Sequence, residues 1–207
     1  MSATNRGAVR VPDDFYGTPS WTVDAILPHL PLAGTIVDLG CGEGQILERV
    51  AAIAPPRASL YGVEIDPVRA GVCRMRVPRA RIHVLDFLAM PPMPADLFVF
   101  NPPYDVKERP GTTAFAFVRK AHEAAAGRGT VAALLRLNWL EGAASEEPAR
   151  LAFLRAHPPD IFITPKRPSF GLNKDGKRAT DATAYGWMVW GPGRVGVVRW
   201  LDVEAAR

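Results

Sequence analysis

An α/β fold with a mostly parallel sheet, covered by helices on both faces, is predicted by three features of the 207-residue chain. Short, nearly continuous apolar runs such as Leu97-Phe98-Val99-Phe100 and Thr130-Val131-Ala132-Ala133-Leu134-Leu135 recur, the signature of strands buried on both sides. Between them lie stretches whose apolar residues repeat at helical spacing. Glycine and proline clusters mark the joints. The length suits one well-cored domain and is short for two.

The elements follow in order. Residues 1–13 are polar and aperiodic and are expected to be disordered, leaving one domain over 14–207. Val37-Asp38-Leu39 ends a first strand, and Gly40-Cys41-Gly42-Glu43-Gly44 turns into a helix from Gln45 to Ala54 that Pro55-Pro56 stops. A second strand closes with Tyr61-Gly62-Val63-Glu64. Asp66 then caps a helix with Pro67 at its first position and Val68, Val72 and Met75 on a shared face. A third strand, Arg81 to Leu85, ends at Asp86-Phe87; a fourth, Leu97 to Phe100, ends at Asn101-Pro102-Pro103-Tyr104. A helix near Thr113 to Ala126, the strand from Thr130 to Leu135 and a helix near Ser145 to Ala156 continue the alternation. Asp160–Ile163, Tyr185–Trp190 and Val195–Trp200 read as closing strands.

In open parallel sheets ligands sit beyond the carboxyl ends of the strands, where this chain places its most telling residues. Glycines 40, 42 and 44 let the backbone approach a ligand closely and adopt positive φ. Their G-x-G-x-G spacing differs from the dinucleotide fingerprint. Asp38 and Glu43 would repel a phosphate and suit an ammonium or a sulfonium. Glu64, at the end of the second strand, is placed to accept from both hydroxyls of a ribose. Asp86 beside Phe87 offers an acceptor and a ring to an adenine. Each acid alone also fits a solvated strand end, but three at successive strand ends make a site.

Asn101-Pro102-Pro103-Tyr104 combines a carboxamide, two stiffened backbone units and an aromatic ring. A prolyl peptide has no N–H and a fixed φ, which keeps the chain extended and its carbonyls available as acceptors. With the Asn101 amide oxygen, they can receive both hydrogens of a planar –NH₂ group. Tyr104 offers a face for a nucleobase, a contact worth about 1–3 kcal/mol.

Taken in order, Asp38 to Gly44, Glu64, Asp86-Phe87 and Asn101 to Tyr104 resemble the successive motifs of class I S-adenosylmethionine-dependent methyltransferases, and the tetrapeptide resembles their amino-methyltransferase branch. Asp14 to Trp21 resembles the Phe-x-Thr-Pro element of DNA adenine methyltransferases. Arg167-Pro168-Ser169-Phe170 and Thr180 to Trp187 resemble small phage- and prophage-type adenine enzymes. The resemblance implies a Rossmann-like, mostly parallel seven-stranded sheet with a C-terminal antiparallel hairpin. It also implies S-adenosyl-L-methionine as cofactor, held by Phe15, Tyr16, Thr18, Pro19, Asp38, Gly40, Cys41, Gly42, Gly44, Glu64, Ile65, Asp86, Phe87 and Asn101. Asn101, Pro102, Pro103 and Tyr104 would be catalytic, methylating the exocyclic N6 amine of adenine in DNA. An RNA base amine fits the same acceptors as an alternative. The glutamine amide methylated by protein methyltransferases with the same tetrapeptide fits less well.

The remaining residues narrow the class. The chain carries 25 Lys and Arg against 21 Asp and Glu, a net charge of +4. Part of that excess falls between Pro165 and Thr183, where Lys166, Arg167, Lys174, Lys177 and Arg178 surround Phe170. A connection this long in a compact domain is unusual, and it is expected to clamp nucleic acid with these six residues. The loop from Asp105 to Thr112 is a second recognition candidate. Cys41 and Cys73, the only cysteines, form no C-x-x-C pair and the four histidines are scattered, so no metal site is expected. No signal peptide or membrane-length apolar run is apparent, which leads to the expectation of a cytoplasmic protein.

Overall fold

A computed structural model describes residues 17–104, 113–141, 148–172, 178–180 and 183–202. Phe15, Tyr16, Lys174, Lys177, the segment 105–112 and the N-terminal segment 1–13 lie outside the described residues. In chain order the helices are α1 (Ser20–Ile26), α2 (Gln45–Ile53), α3 (Pro67–Arg76), α4 (Ala114–Ala125) and α5 (Pro148–Ala156). The strands are β1 (Thr35–Leu39), β2 (Ser59–Glu64), β3 (Arg81–Val84), β4 (Leu97–Phe100), β5 (Thr130–Arg136), β6 (Asp160–Ile163), β7 (Ser169–Leu172), β8 (Arg178–Thr180), β9 (Tyr185–Trp190) and β10 (Val198–Trp200).

Eight strands form one sheet in the order β10-β6-β9-β5-β4-β1-β2-β3, and β7 pairs with β8 separately. All sheet neighbours are parallel except β9, which runs antiparallel to both β5 and β6. The antiparallel pair expected near the C-terminus is thus β6 and β9. The eighth strand is β10, a three-residue edge strand parallel to β6.

Alternate residues of the central strands feed two cores. On one face Val23, Ile26, Leu47, Val50 and Cys73 pack over Ile36, Leu60, Val99, Leu134 and Trp187. On the other, Phe115, Phe117, Val118 and Ala121 of α4 cover Val37, Phe98, Phe100 and Val131, with Phe153 of α5 at the margin. Truncating one of these large buried aliphatics to alanine costs about 2–5 kcal/mol. The predicted Asp66 cap is present, accepting from the Val68 and Arg69 amides at 2.8 and 3.1 Å, and Thr113 also caps α4, accepting from Ala116 at 3.1 Å. The end of α2 is closed by Arg79, which donates to the Ala51, Ala54, Pro55 and Ala58 carbonyls.

Two local expectations are corrected and one helix is new. Helix α3 does not bury the Val68–Met75 face; Val68 and Met75 are 74% and 76% exposed, while Ala70 and Cys73 are buried. The reason is close approach, since α3 lies against the glycine loop and only small side chains fit between them. Helix α1 had no sequence signal because it is seven residues long and is held by tertiary contact, with the Trp187 indole N–H donating to the Thr22 carbonyl at 2.9 Å. The basic segment read as a loop contains the β7–β8 hairpin, whose backbone pairing leaves no apolar period in so polar a stretch.

Candidate active site at the carboxyl edge of the sheet

The sheet grows from β1 outward to β2 and β3 on one side and from β4 to β5 on the other. The crevice where strand order reverses is therefore the β1–β4 boundary, the usual ligand position in such sheets. The glycine loop leaves β1 there. Its Gly40 and Cys41 amides donate to the Val63 carbonyl at 2.8 and 3.0 Å, and its Gly42 amide donates to Glu64 Oε2 at 2.8 Å. Gly40, Gly42 and Gly44 have φ of 71°, 53° and 89°, a region that side chains disfavour. A Cβ on Gly44 would stand 2.7 Å from the Cys73 sulfur. The loop is thereby clipped to β2 and α3.

Four strand ends converge on this loop. Glu64 is buried; besides Gly42 it accepts from the Asp66 amide at 2.9 Å, and Arg69 lies 3.7 Å away. A carboxylate has about four lone-pair positions, so two amides leave capacity for ribose hydroxyls. Asp38 is only 1% exposed, and neither of its oxygens has a hydrogen-bond partner among the described residues. Burial, then the neighbouring Cys73 and Glu64, push its carboxyl well above the usual range. A buried acid without a partner is costly, and a cationic ligand group would satisfy it. At the third strand end Asp86 accepts from the Leu88 amide at 2.9 Å and is half-buried. Phe87 is buried against Phe117, ring centroids 5.2 Å apart, so its ring belongs to the core. Lys120 lies over Phe87 and donates to the Leu88 and Met90 carbonyls, pinning this turn.

At the fourth strand end the Asn101 Nδ2 donates to the Thr18 hydroxyl at 3.2 Å. Thr18 is buried, and the following Pro19 accepts from the Thr22 amide at 3.0 Å at the start of α1. Residues distant in sequence thus meet, and the Asn101 amide is oriented with its nitrogen engaged, leaving its oxygen as the acceptor. Pro102 is buried, whereas Pro103 and Tyr104 are half-buried. The Tyr104 hydroxyl accepts from the Arg136 amide at 2.8 Å. Arg136 also lays its guanidinium 4.5 Å from the Tyr104 ring centroid.

Of the basic segment, Lys166 sits 4.7 Å from the Trp21 ring centroid, Arg167 is exposed, and Phe170 packs on Tyr185 at 4.9 Å. Arg178 begins β8. Ile65 is half-buried between Glu64 and Asp66. No cluster of three or more His, Cys, Asp or Glu able to hold a metal occurs among the described residues. No described helix is long and apolar enough to cross a membrane.

Gly62, Cys73 and Arg136 escaped sequence reading. Gly62 lacks room for a Cβ, which would come within 2.7 Å of the Cys41 sulfur and 2.8 Å of Ile82. Cys73 of α3 lies buried under the loop, against Gly44. Arg136 ends an apolar strand on a charge, a signal that the acids at the other strand ends also carry.

Comparison with known proteins bears on this geometry. The family model for the methyltransferase small domain matches residues 22–136. The tRNA1(Val) (adenine(37)-N6)-methyltransferase of Yersinia pestis strain Pestoides F is 34% identical over 97 residues, covering 42% of this chain and 39% of that protein. This chain thus matches well under half the length of that relative. Among solved structures, a methyltransferase subunit of a type I restriction-modification system from Streptococcus thermophilus superposes with a TM-score of 0.61 at 18% identity, over 87% of this chain and 45% of that one. A TehB-like SAM-dependent methyltransferase from Corynebacterium glutamicum superposes with a TM-score of 0.56 at 18% identity, over 83% and 86%. The Rossmann-like class I methyltransferase fold is shared with these structures.

Proposed function

This chain belongs to the methyltransferase small domain family, whose cofactor is S-adenosylmethionine, and from that premise we propose that it methylates the exocyclic N6 amine of adenine in RNA. The observation that carries the amine assignment is Asn101: its nitrogen is held by Thr18, which leaves its oxygen as the acceptor, and prolines follow it. The substrate reading rests on the tRNA adenine-N6 enzymes among the sequence relatives. It replaces the DNA target implied by the phage-type resemblance, because the structural likeness to a restriction-modification subunit is a likeness of fold.

Asp38 suits the cofactor best, since its unpaired buried carboxylate matches a cationic group. Glu64 would accept from the ribose hydroxyls while fastening the loop to β2. The cofactor supplies an electrophilic methyl group on a sulfonium. An adenine amine is a weak nucleophile because its lone pair is delocalised into the ring. Hydrogen bonds donated by that amine to the Asn101 oxygen and the Pro102 carbonyl favour the pyramidal, more reactive geometry. Tyr104 provides a stacking face, and unstacking the target base costs a few kcal/mol, least in single-stranded RNA. Lys166, Arg167, Phe170, Lys174, Lys177 and Arg178 would hold the phosphate backbone around it.

The test is to supply tritium-labelled S-adenosylmethionine with total tRNA, ribosomal RNA and unmodified duplex DNA in parallel. Label in tRNA or rRNA with none in DNA is expected. Label confined to DNA would overturn the RNA reading while leaving the family assignment intact.

A further inference from the structure

Arg136 connects three parts of the target side that are separate in sequence. It is half-buried at the carboxyl end of β5, beside the strand that delivers Asn101. Its backbone amide donates to the Tyr104 hydroxyl at 2.8 Å, and its guanidinium lies 4.5 Å from the Tyr104 ring centroid. Its Nε donates to the Tyr185 hydroxyl at 3.0 Å. Tyr185 is buried on β9 and packs against Phe170, at the start of the β7–β8 hairpin, with ring centroids 4.9 Å apart. The series Tyr104, Arg136, Tyr185, Phe170 thus runs from the amine-binding tetrapeptide to the basic segment.

We propose that Arg136 is a positioning residue that sets the Tyr104 ring in place for stacking the target base and couples it to the β7–β8 hairpin. The inference rests on the nucleobase-amine reading above. Two restraints act on one ring. The amide bond to the hydroxyl fixes the far end of Tyr104, and the cation over its face fixes its tilt, an attraction strengthened where the pair is partly desolvated. Arg136 in turn is steered by Tyr185, so its planar guanidinium has a defined orientation that a lysine ammonium would not reproduce. A ring held in place before substrate arrives spares the ordering cost otherwise charged to binding.

The experiment combines a readout that needs no substrate with one that does. Fluorine NMR of protein carrying 3-fluorotyrosine at its four tyrosines, with the Tyr104 signal assigned by Tyr104→Phe, is compared between wild type and Arg136→Met. The Tyr104 resonance is expected to be single in wild type and displaced or broadened in the variant. Methyl transfer to total tRNA is then measured for Arg136→Met, Arg136→Lys, Tyr104→Ala and the Arg136→Met/Tyr104→Ala double variant. Tyr104→Ala should lower kcat/KM by roughly ten- to hundredfold, the worth of stacking one base. Arg136→Met should lower it about tenfold with S-adenosylmethionine affinity unchanged, and Arg136→Lys less. In the Tyr104→Ala background, removing Arg136 should cost under about twofold more, because groups acting through one ring are not additive. An unmoved Tyr104 resonance, or losses that multiply independently, would overturn the proposal. Wild type that labels no tRNA while its Tyr104 signal responds to Arg136 would count against the substrate reading alone.

Discussion

The two sides of the crevice are built differently. Of the candidate cofactor residues, Asp38, the loop glycines, Glu64 and Asp86 lie at a strand end or in the turn directly after one. Their partners come from the adjacent strand and its following turn: the Gly40 and Cys41 amides bond Val63, and Glu64 binds Gly42 and Asp66. On the target side, Asn101 is oriented by Thr18, Tyr104 by Arg136 and Arg136 by Tyr185, each partner dozens of residues away. In the proposed reading, cofactor binding is a property of consecutive βα units, and target recognition depends on how the whole sheet brings β5, β9 and the N-terminal residues together.

That contrast is most sharply tested by separating transfer from cofactor binding. Asn101→Ala should reduce methyl transfer by roughly 10²–10³, the cost of removing one positioned transition-state hydrogen bond, while calorimetry shows S-adenosylmethionine binding close to wild type. Equal loss of both would erase the division between the two sides.

Glu64→Ala should do the converse and act through two routes. It removes the ribose acceptor and strands the Gly42 and Asp66 amides, each bond to a charged group being worth about 1.5–3 kcal/mol. Cofactor affinity should fall by a few kcal/mol with a lowered unfolding midpoint; unchanged affinity would remove Glu64 from the site.

A smaller effect follows from Asp38. Burial, with Cys73 and Glu64 nearby, raises its folded-state value above the ordinary 3.8, so the folded protein holds a proton that the unfolded chain releases. Its contribution to stability is complete below that ordinary value and is lost as pH rises toward the raised one. Denaturant midpoints of the ligand-free protein, measured across this window, should decline with pH in wild type and less steeply in Asp38→Asn. Asp38→Asn should also bind the cofactor more weakly. Parallel pH profiles would mean that Asp38 is ionised and paired in solution.

The smallest expected change concerns Lys166 and Arg167. If each neutralises one phosphate, replacing both with alanine flattens the logarithmic salt dependence of RNA affinity by about 0.7 per contact on a single strand. An unchanged slope would assign Lys166 to its contact with Trp21 alone.

The same division explains what was legible from residues alone. The strand–turn–helix order, the Asp66 cap and the glycine loop all leave local patterns, and all were readable, while the antiparallel closing pair came from the family resemblance. Helix α1, the small-residue face of α3 and the β7–β8 hairpin were not, because each is decided by what it packs or pairs with. Phe87 shows the same limit: an aromatic after a strand-end acid reads as a ligand contact, yet its ring is turned into the core beside Phe117. Asn101 and Tyr104 were recognised as residues, but the groups that aim them were invisible, since no local pattern links Thr18 to Asn101 or Arg136 to Tyr104.

The account depends most directly on a site built of acceptors for an amine. Total tRNA methylated by the wild-type protein should be digested to nucleosides and the new methyl group located by mass spectrometry against synthetic standards. N6-methyladenosine is expected, and far less of it in the Asn101→Ala reaction. A methyl group on a ring carbon or a ribose oxygen would contradict the proposal, because neither position presents the two amine hydrogens that the proposed acceptors, the Asn101 oxygen and the Pro102 carbonyl, would receive.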